Sequence, residues 1–185
     1  MGTWKSRGLR GSELEELINH TNEAYRERGL ALIQKIPTPI TPIDMNKDHT
    51  QITLAYFDQK STVDYIGVVQ GIPVCFDAKE CKADLWPLQN LHPHQVKFMK
   101  EFEEQGGISF IILSYTSRLE NYYIPFRDIL KFWNRMQQGG KKSFNYKEID
   151  KNYLIGSQRD MLVHFLEPLQ RDLEYRDALE EAENA

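Results

Sequence analysis

Apolar side chains at Leu14, Leu17, Ile18, Ala24 and Tyr25 recur at the spacing of one helix face, which predicts a helix over 12–28. Ser12 stands where an N-cap belongs, Glu15 follows three residues later as in a capping box, and Gly29 marks the end. Beyond it the period shortens. Residues 30–36 alternate weakly and read as a strand. Pro37-Thr38-Pro39-Ile40-Thr41-Pro42 then holds three prolines, which exclude both a helix and a central strand. A β-branched and aromatic run resumes over 50–56, so 37–56 reads as a two-stranded, solvent-exposed arm turning near 45–48. Strands are expected at 64–69, 72–79 and 108–115, the first two closed into a tight hairpin by Gln70-Gly71. A helix over 93–105, a short strand over 122–124, a helix over 127–137 and a basic loop at Gly139-Gly140-Lys141-Lys142 complete the middle of the chain. The spacing of Leu162, Phe165, Leu166, Leu169, Leu173 and Tyr175 predicts a helix over 161–179, kinked or interrupted at Pro168, with 180–185 as a frayed acidic end. This order implies an α/β fold, a mixed sheet covered by helices.

With 185 residues, 41% of them apolar, the chain can bury one sizeable core, and a single globular unit is expected over 1–166 with an acidic helix or tail over 167–185. No apolar run approaches the roughly 20 residues of a membrane span and no signal core precedes the first helix, so a cytoplasmic protein with no membrane partner is expected. Cys75 and Cys81 alone make neither a disulfide framework nor a zinc site, in keeping with a reduced compartment. The formal charge of −4 argues mildly against a nucleic-acid binder. Its distribution weakens that objection: residues 1–150 hold 19 basic and 19 acidic side chains, whereas 151–185 hold 4 against 8.

The candidate chemistry lies at the hairpin. Asp64, then a gap of twelve, then Asp77-Ala78-Lys79 places two carboxylates and an ammonium at the ends of strands otherwise rich in Val, Ile and Phe. Such charges need a cation or hydrogen-bond partners. Side chains two apart share a strand face, which sets Thr62 beside Asp64 and Lys79 beside Asp77, with Glu80 on the opposite face. Two carboxylates with the Ala78 carbonyl suit a hard divalent cation, Mg²⁺ or alternatively Mn²⁺, and Lys79 can reach a water or a phosphate as a point charge. Phosphodiester hydrolysis needs these components.

Thr62-Val63-Asp64-Tyr65, Phe76-Asp77-Ala78-Lys79-Glu80, and Pro87-Leu88-Gln89-Asn90 followed by His92-Pro93-His94-Gln95 resemble the RecU-type Holliday-junction resolvases, of the PD-(D/E)xK nuclease superfamily. Arg7-Gly8, Thr21-Asn22, Lys35-Ile36-Pro37-Thr38-Pro39, Ala55-Tyr56-Phe57 and Phe132-Trp133 extend the likeness roughly from residue 7 to residue 165. The resemblance implies a restriction-endonuclease-like mixed sheet and a homodimeric, Mg²⁺-dependent endonuclease that nicks two strands of a four-way DNA junction symmetrically, in DNA recombination and repair. It places Thr62, Asp64, Asp77 and Gln95 at the metal and gives Lys79 the role of transition-state stabiliser. Glu15 falls where related archaeal resolvases carry a helix glutamate, and the arm at 37–56 is similar to the family's stalk, which enters the junction's centre. The chain departs from the family at Asp77, where Glu is typical, and at Val63, where a second Thr is common. A RecA-type recombinase is implied as a further partner, although the segment before Arg7 is shorter than the basic arm to which the family assigns that role.

Plainer readings stand beside these. Gln95 alone is an ordinary helix amide, Glu15 a capping carboxylate, Cys75 a small core residue, Cys81 a bystander and Phe132-Trp133 core packing. His92 and His94 flank a proline without enough partners for zinc. Lys82, Lys97, Lys100, Lys141 and Lys142 are candidates for DNA-backbone contact. Two other functions compete with a resolvase: a non-catalytic protein that binds branched DNA or a recombinase, and a related nuclease acting on linear duplex.

Overall fold

The computed structural model describes residues 13–57 and 62–183; Arg7-Gly8, the expected Ser12 cap and Asn184-Ala185 lie outside the described residues. Eleven strands and four α-helices follow in chain order among them. They are α1 (Glu13–Glu27), β1 (Ala31–Lys35), β2 (Ile40–Met45), β3 (Ile52–Phe57), β4 (Tyr65–Val69), β5 (Ile72–Cys81), β6 (Leu85–Pro87), α2 (Pro93–Glu104), β7 (Ile108–Tyr115), β8 (Glu120–Pro125), α3 (Phe126–Gln137), β9 (Ser143–Asn145), β10 (Leu154–Gln158), β11 (Met161–His164) and α4 (Leu166–Glu183).

Seven strands make one mixed sheet in the order β1-β4-β5-β7-β8-β10-β11, with β5 and β7 parallel and every other pairing antiparallel. The two-residue period of β5 divides the core. Val74, Phe76 and Ala78 face the layer that includes residues of α1, β11 and α4, whereas Cys75 faces the layer that includes residues of α2, α3, β6 and β9. On the α1 face, Tyr65, Phe76, Phe110 and Tyr123 stack from strand to strand with centroids 4.7, 4.7 and 4.3 Å apart. This aromatic ladder holds the central strands in register.

The hairpin between β4 and β5 turns at Gln70 and Gly71, both at positive φ (47° and 92°), as a two-residue turn matched to strand twist requires. Gly67 in β4 is fixed by proximity: an added Cβ would lie 2.2 Å from the Leu32 carbonyl oxygen of β1. The arm forms as expected. Among the described residues, strands β2 and β3 pair only with each other, Asn46 Oδ1 accepts from Thr50 and Gln51 across the turn, and Thr41 and Ala55 are its only strand residues that are not exposed. It displays Ile43, Leu54 and Phe57 to solvent.

Three expectations are corrected at the C-terminus. Residues 161–164 are not helical but form β11, because Met161 and Val163 are buried while Leu162 is exposed, and the Val163 N–H donates to Thr21 Oγ1 at 3.0 Å. Pro168 kinks nothing, since it lies in the first turn of α4, where its missing N–H breaks no intrahelical bond. The helix runs on to Glu183 rather than fraying from residue 180.

Helix α4 is docked by a buried charge. Asp172, with no exposed surface, accepts from Tyr123 Oη at 2.7 Å and pairs with Arg127 and, at 3.4 Å, Arg176, which also reaches Glu103 at 2.8 Å. Asp172→Ala strands these partners and is expected to cost about 3 kcal/mol of stability, read as a lower urea midpoint. A loss below about 1 kcal/mol would make the network energetically neutral.

Candidate active site

Antiparallel pairing puts Tyr65 opposite Phe76, so Asp64, one residue before β4, falls beside Asp77 on the α2 face. The two carboxylates clasp each other's main chain: the Asp64 N–H donates to Asp77 Oδ1 at 2.8 Å, and the Ala78 N–H donates to Asp64 Oδ2 at 2.9 Å. Lys79, two residues along the same face, brings Nζ to 3.1 Å from Asp77 Oδ2 and 3.8 Å from Asp64 Oδ2. Asp77 is fully buried, while about a quarter of the Asp64 side chain (26%) is open to solvent. Burial raises the Asp77 carboxyl from 3.8 to about 6, against the pull of Lys79 and with a further push from Asp64. A buried carboxylate held that high would gain most from a second positive charge.

Helix α2 closes the site from above the sheet. Gln95 is buried at the third helical position, where its Oε1 accepts the His92 N–H at 3.0 Å and its Nε2 donates to Asp77 Oδ2 at 2.5 Å. One amide therefore caps the helix and steadies the carboxylate. In this conformation it presents a donor to the site rather than an oxygen. Sequence pattern alone could not find this second bond, because Asp77 and Gln95 meet only once α2 lies on β5.

The other expected residues are placed less centrally. Thr62 is half-buried, two residues before Asp64. Glu15 sits in the first turn of α1 with its carboxylate 2.8 Å from Lys35 Nζ, at the end of the strand that leads into the arm. Glu80 faces away from Asp77, as strand alternation requires, and its Oε1 accepts the Leu14 N–H at 3.1 Å, supplying α1 with an N-terminal acceptor. Among the described residues, no three His, Cys, Asp or Glu side chains gather as a metal cluster. A cation held by Asp64 and Asp77 would thus draw its remaining ligands from amide, hydroxyl or main-chain oxygen and water, a donor set that suits Mg²⁺. His92 and His94 stack at 5.4 Å at the entry to α2. Lys97 and Lys100 pair along α2 with Glu101 and Glu104, which weakens both as DNA contacts. Burial pushes the Cys75 thiol up to about 12, so it is inert.

The profile of the family described as RecU, recombination protein U, matches residues 9–171. The Holliday junction resolvase RecU of Leuconostoc mesenteroides subsp. mesenteroides is 39% identical over 172 residues, covering 90% of this chain and 83% of that protein. The RecU resolvase of Oenococcus oeni is 43% identical over 169 residues (89% and 86%), and that of Geobacillus kaustophilus 41% over 147 residues (77% and 74%). The archaeal resolvase Hjc of Archaeoglobus fulgidus overlaps 63% of this chain and 78% of that chain at 11% identity and a TM-score of 0.37, too loose a superposition to define the fold.

Proposed function

The chain belongs to the RecU family, and we propose that it is a structure-selective endonuclease that resolves Holliday junctions in DNA by metal-dependent phosphodiester hydrolysis. The observation that carries this reading is the clasp of Asp64 and Asp77 around a shared edge, with Lys79 3.1 Å from the buried carboxylate. Asp64, Asp77 and the Ala78 carbonyl would hold Mg²⁺, or Mn²⁺ in its place, with Thr62 at the open side. When bound, such an ion supplies Lewis-acid charge to the phosphate and acidifies a coordinated water.

The chain's own groups do the rest. Lys79 places a point charge where the attacking oxygen and the phosphate must meet, and it is held there by the carboxylates it would share with the ion. Gln95 keeps Asp77 Oδ2 directed at the site. It can itself become a ligand only if its amide turns over, which releases the His92 N–H. Glu15 would take part only by leaving Lys35.

A four-way junction has approximate two-fold symmetry, so a homodimer with two such sites can nick opposed strands as a pair. The apolar arm, β2 with β3, supports a projection into the branch point. A RecA-type recombinase as a further partner rests on family resemblance alone. Among the described residues no helix is long and apolar enough to cross a membrane, and cytoplasmic location is part of the proposal.

The test is incubation of the protein with a synthetic mobile four-way junction and Mg²⁺. Paired symmetric nicks are expected. Binding without cleavage by Mg²⁺ or Mn²⁺ would make it a non-catalytic branched-DNA binder, and equal cutting of linear duplex at the same salt would make it a general nuclease.

The raised Asp77 carboxyl adds a pH prediction. Below about 6 a proton occupies the carboxylate and competes with the cation, so cutting at sub-saturating Mg²⁺ should fall as pH drops from 7 to 5 and recover when Mg²⁺ is raised. A rate unaffected by pH over that range would contradict it.

A further inference from the structure

Asp and Glu are absent from residues 85–100 and from residues 129–147, the longest acid-free run in a chain that holds 27 of them and a formal charge of −4. The fold brings these two runs together. Strand β6 pairs with β9, Leu85 opposite Asn145 and Pro87 opposite Ser143, and the ribbon is anchored by Trp86 and Phe144, each 1% exposed, with ring centroids 5.2 Å apart. At one end the Tyr146 N–H donates to the Asp84 carbonyl at 2.7 Å, and at the other the Leu88 N–H donates to the Lys142 carbonyl at 2.9 Å. Lys141 and Lys142 leave a turn in which the Gly139 and Gly140 N–H groups donate to the Met136 and Arg135 carbonyls at 3.0 and 2.9 Å. Their main chain is pinned on both sides while their side chains are exposed.

The lysine charges are not neutralised among the described residues. Lys141, Lys142 and Lys147 are exposed and make no ion pair there, whereas Lys97 and Lys100 each pair with a glutamate. Asp84 feels Lys147 and Glu148 feels Lys141, yet both carboxylates are already held by arginines: Arg118 forks onto Asp84 at 2.9 and 2.8 Å, and Arg135 pairs with Glu148. The ribbon also flanks the catalytic cluster. Cys81 lies two residues beyond Lys79 on the same face of β5, and the chain then runs through β6 to α2, whose Gln95 bonds Asp77. Trp86 and Phe144 pack in the core layer on that same side of the sheet. Four residues of β6 separate the two end rungs, so at about 3.3 Å per residue they stand roughly 13 Å apart, about four nucleotides of rise along a DNA strand. Unpaired cations on an acid-free surface are complementary to a polyanion.

We propose that the β6–β9 ribbon is a rail for the DNA backbone beside the catalytic cluster, in which Lys141 and Lys142 at one end and Lys147 at the other hold phosphates of the bound strand. This rests on the junction-cutting reading and deepens it, because it assigns the backbone contact to lysines that the fold leaves unpaired and withdraws it from those on α2.

Three sets of variants test it: Lys141→Ala with Lys142→Ala, Lys147→Ala alone, and Lys97→Ala with Lys100→Ala as a control on α2. In metal-free buffer, full-length wild type and variants are titrated with a four-way junction and with linear duplex at a series of salt concentrations, alongside thermal melting and cutting rates with Mg²⁺. The rail predicts that the 141/142 double change weakens binding about tenfold and lowers the salt slope by about two for each protomer engaged, and that Lys147→Ala lowers it by about one. Lys141→Arg with Lys142→Arg should keep the wild-type slope, as should the control. Phosphate contacts carry no sequence information, so the ratio of junction to duplex affinity should stay at its wild-type value, and cutting should recover at saturating protein. Wild-type slopes in both the double variant and Lys147→Ala overturn the rail. An equal loss of slope in the control also overturns it, by making the effect one of net charge, and a lowered melting temperature in the double variant does so by giving these lysines a structural role. A wild type that binds the junction no better than duplex contradicts the resolvase reading instead, and the slopes on duplex still decide the rail.

Discussion

Asp64→Asn is expected to reduce junction cutting by roughly 10³-fold or more, because charge stabilisation by a held cation contributes several kcal/mol to phosphoryl chemistry. The fold should survive the change. Asn has the same shape, and its amide oxygen can still accept the Ala78 N–H that Asp64 Oδ2 takes at 2.9 Å, while the Asp64 N–H bond to Asp77 is main-chain and persists. Junction binding, made through backbone phosphates and shape, should stay within a few-fold of wild type. Gel-shift and nicking assays on one protein preparation separate the two effects. Cutting retained within about tenfold would remove Asp64 from the chemistry.

The second large effect separates roles within the same cluster. Lys79→Met should lower cutting by a factor of the order of 10³ yet leave divalent-ion binding intact or tighter at alkaline pH. The ammonium now sits 3.1 Å from Asp77 and 3.8 Å from Asp64, where it offsets the charge that attracts the ion. Without it, the buried Asp77 carboxyl loses the interaction that lowers its pKa, so the metal-free variant should be less stable at neutral pH and should gain more from added Mg²⁺ than wild type does. Melting curves at several Mg²⁺ concentrations, set beside nicking rates, measure both halves. If ion affinity falls together with cutting, Lys79 supports the metal site and does not stabilise the transition state.

The hairpin was legible from sequence because two physical signals coincide there. Apolar strands that end on charge mark a site, and the two-residue period assigns Asp77 and Lys79 to one face and Glu80 to the other. Gln70-Gly71 fixed the turn that brings Asp64 to Asp77. The proline-bounded arm was legible for the same local reason, but its exposed Ile43, Leu54 and Phe57 were not anticipated, because apolar residues usually announce a core. What escaped depends on distant pairing. The three-residue ribbon of β6 and β9 joins segments far apart in the chain, and Met161–His164 carries a run whose alternation is too short to distinguish from a helix until β10 lies beside it. The second hydrogen bond of Gln95 is likewise a product of packing, invisible in residue spacing.

Calorimetric titration of Mn²⁺ into the wild-type protein, Asp64→Asn and Asp77→Asn at pH 8 addresses most directly the claim that two neighbouring carboxylates jointly hold a catalytic cation. Wild type should bind the ion with affinity that each single substitution lowers by two orders of magnitude or so. Undiminished Mn²⁺ binding in either variant, both melting as folded proteins, would mean that the aspartates do not share an ion and that the site works by other means.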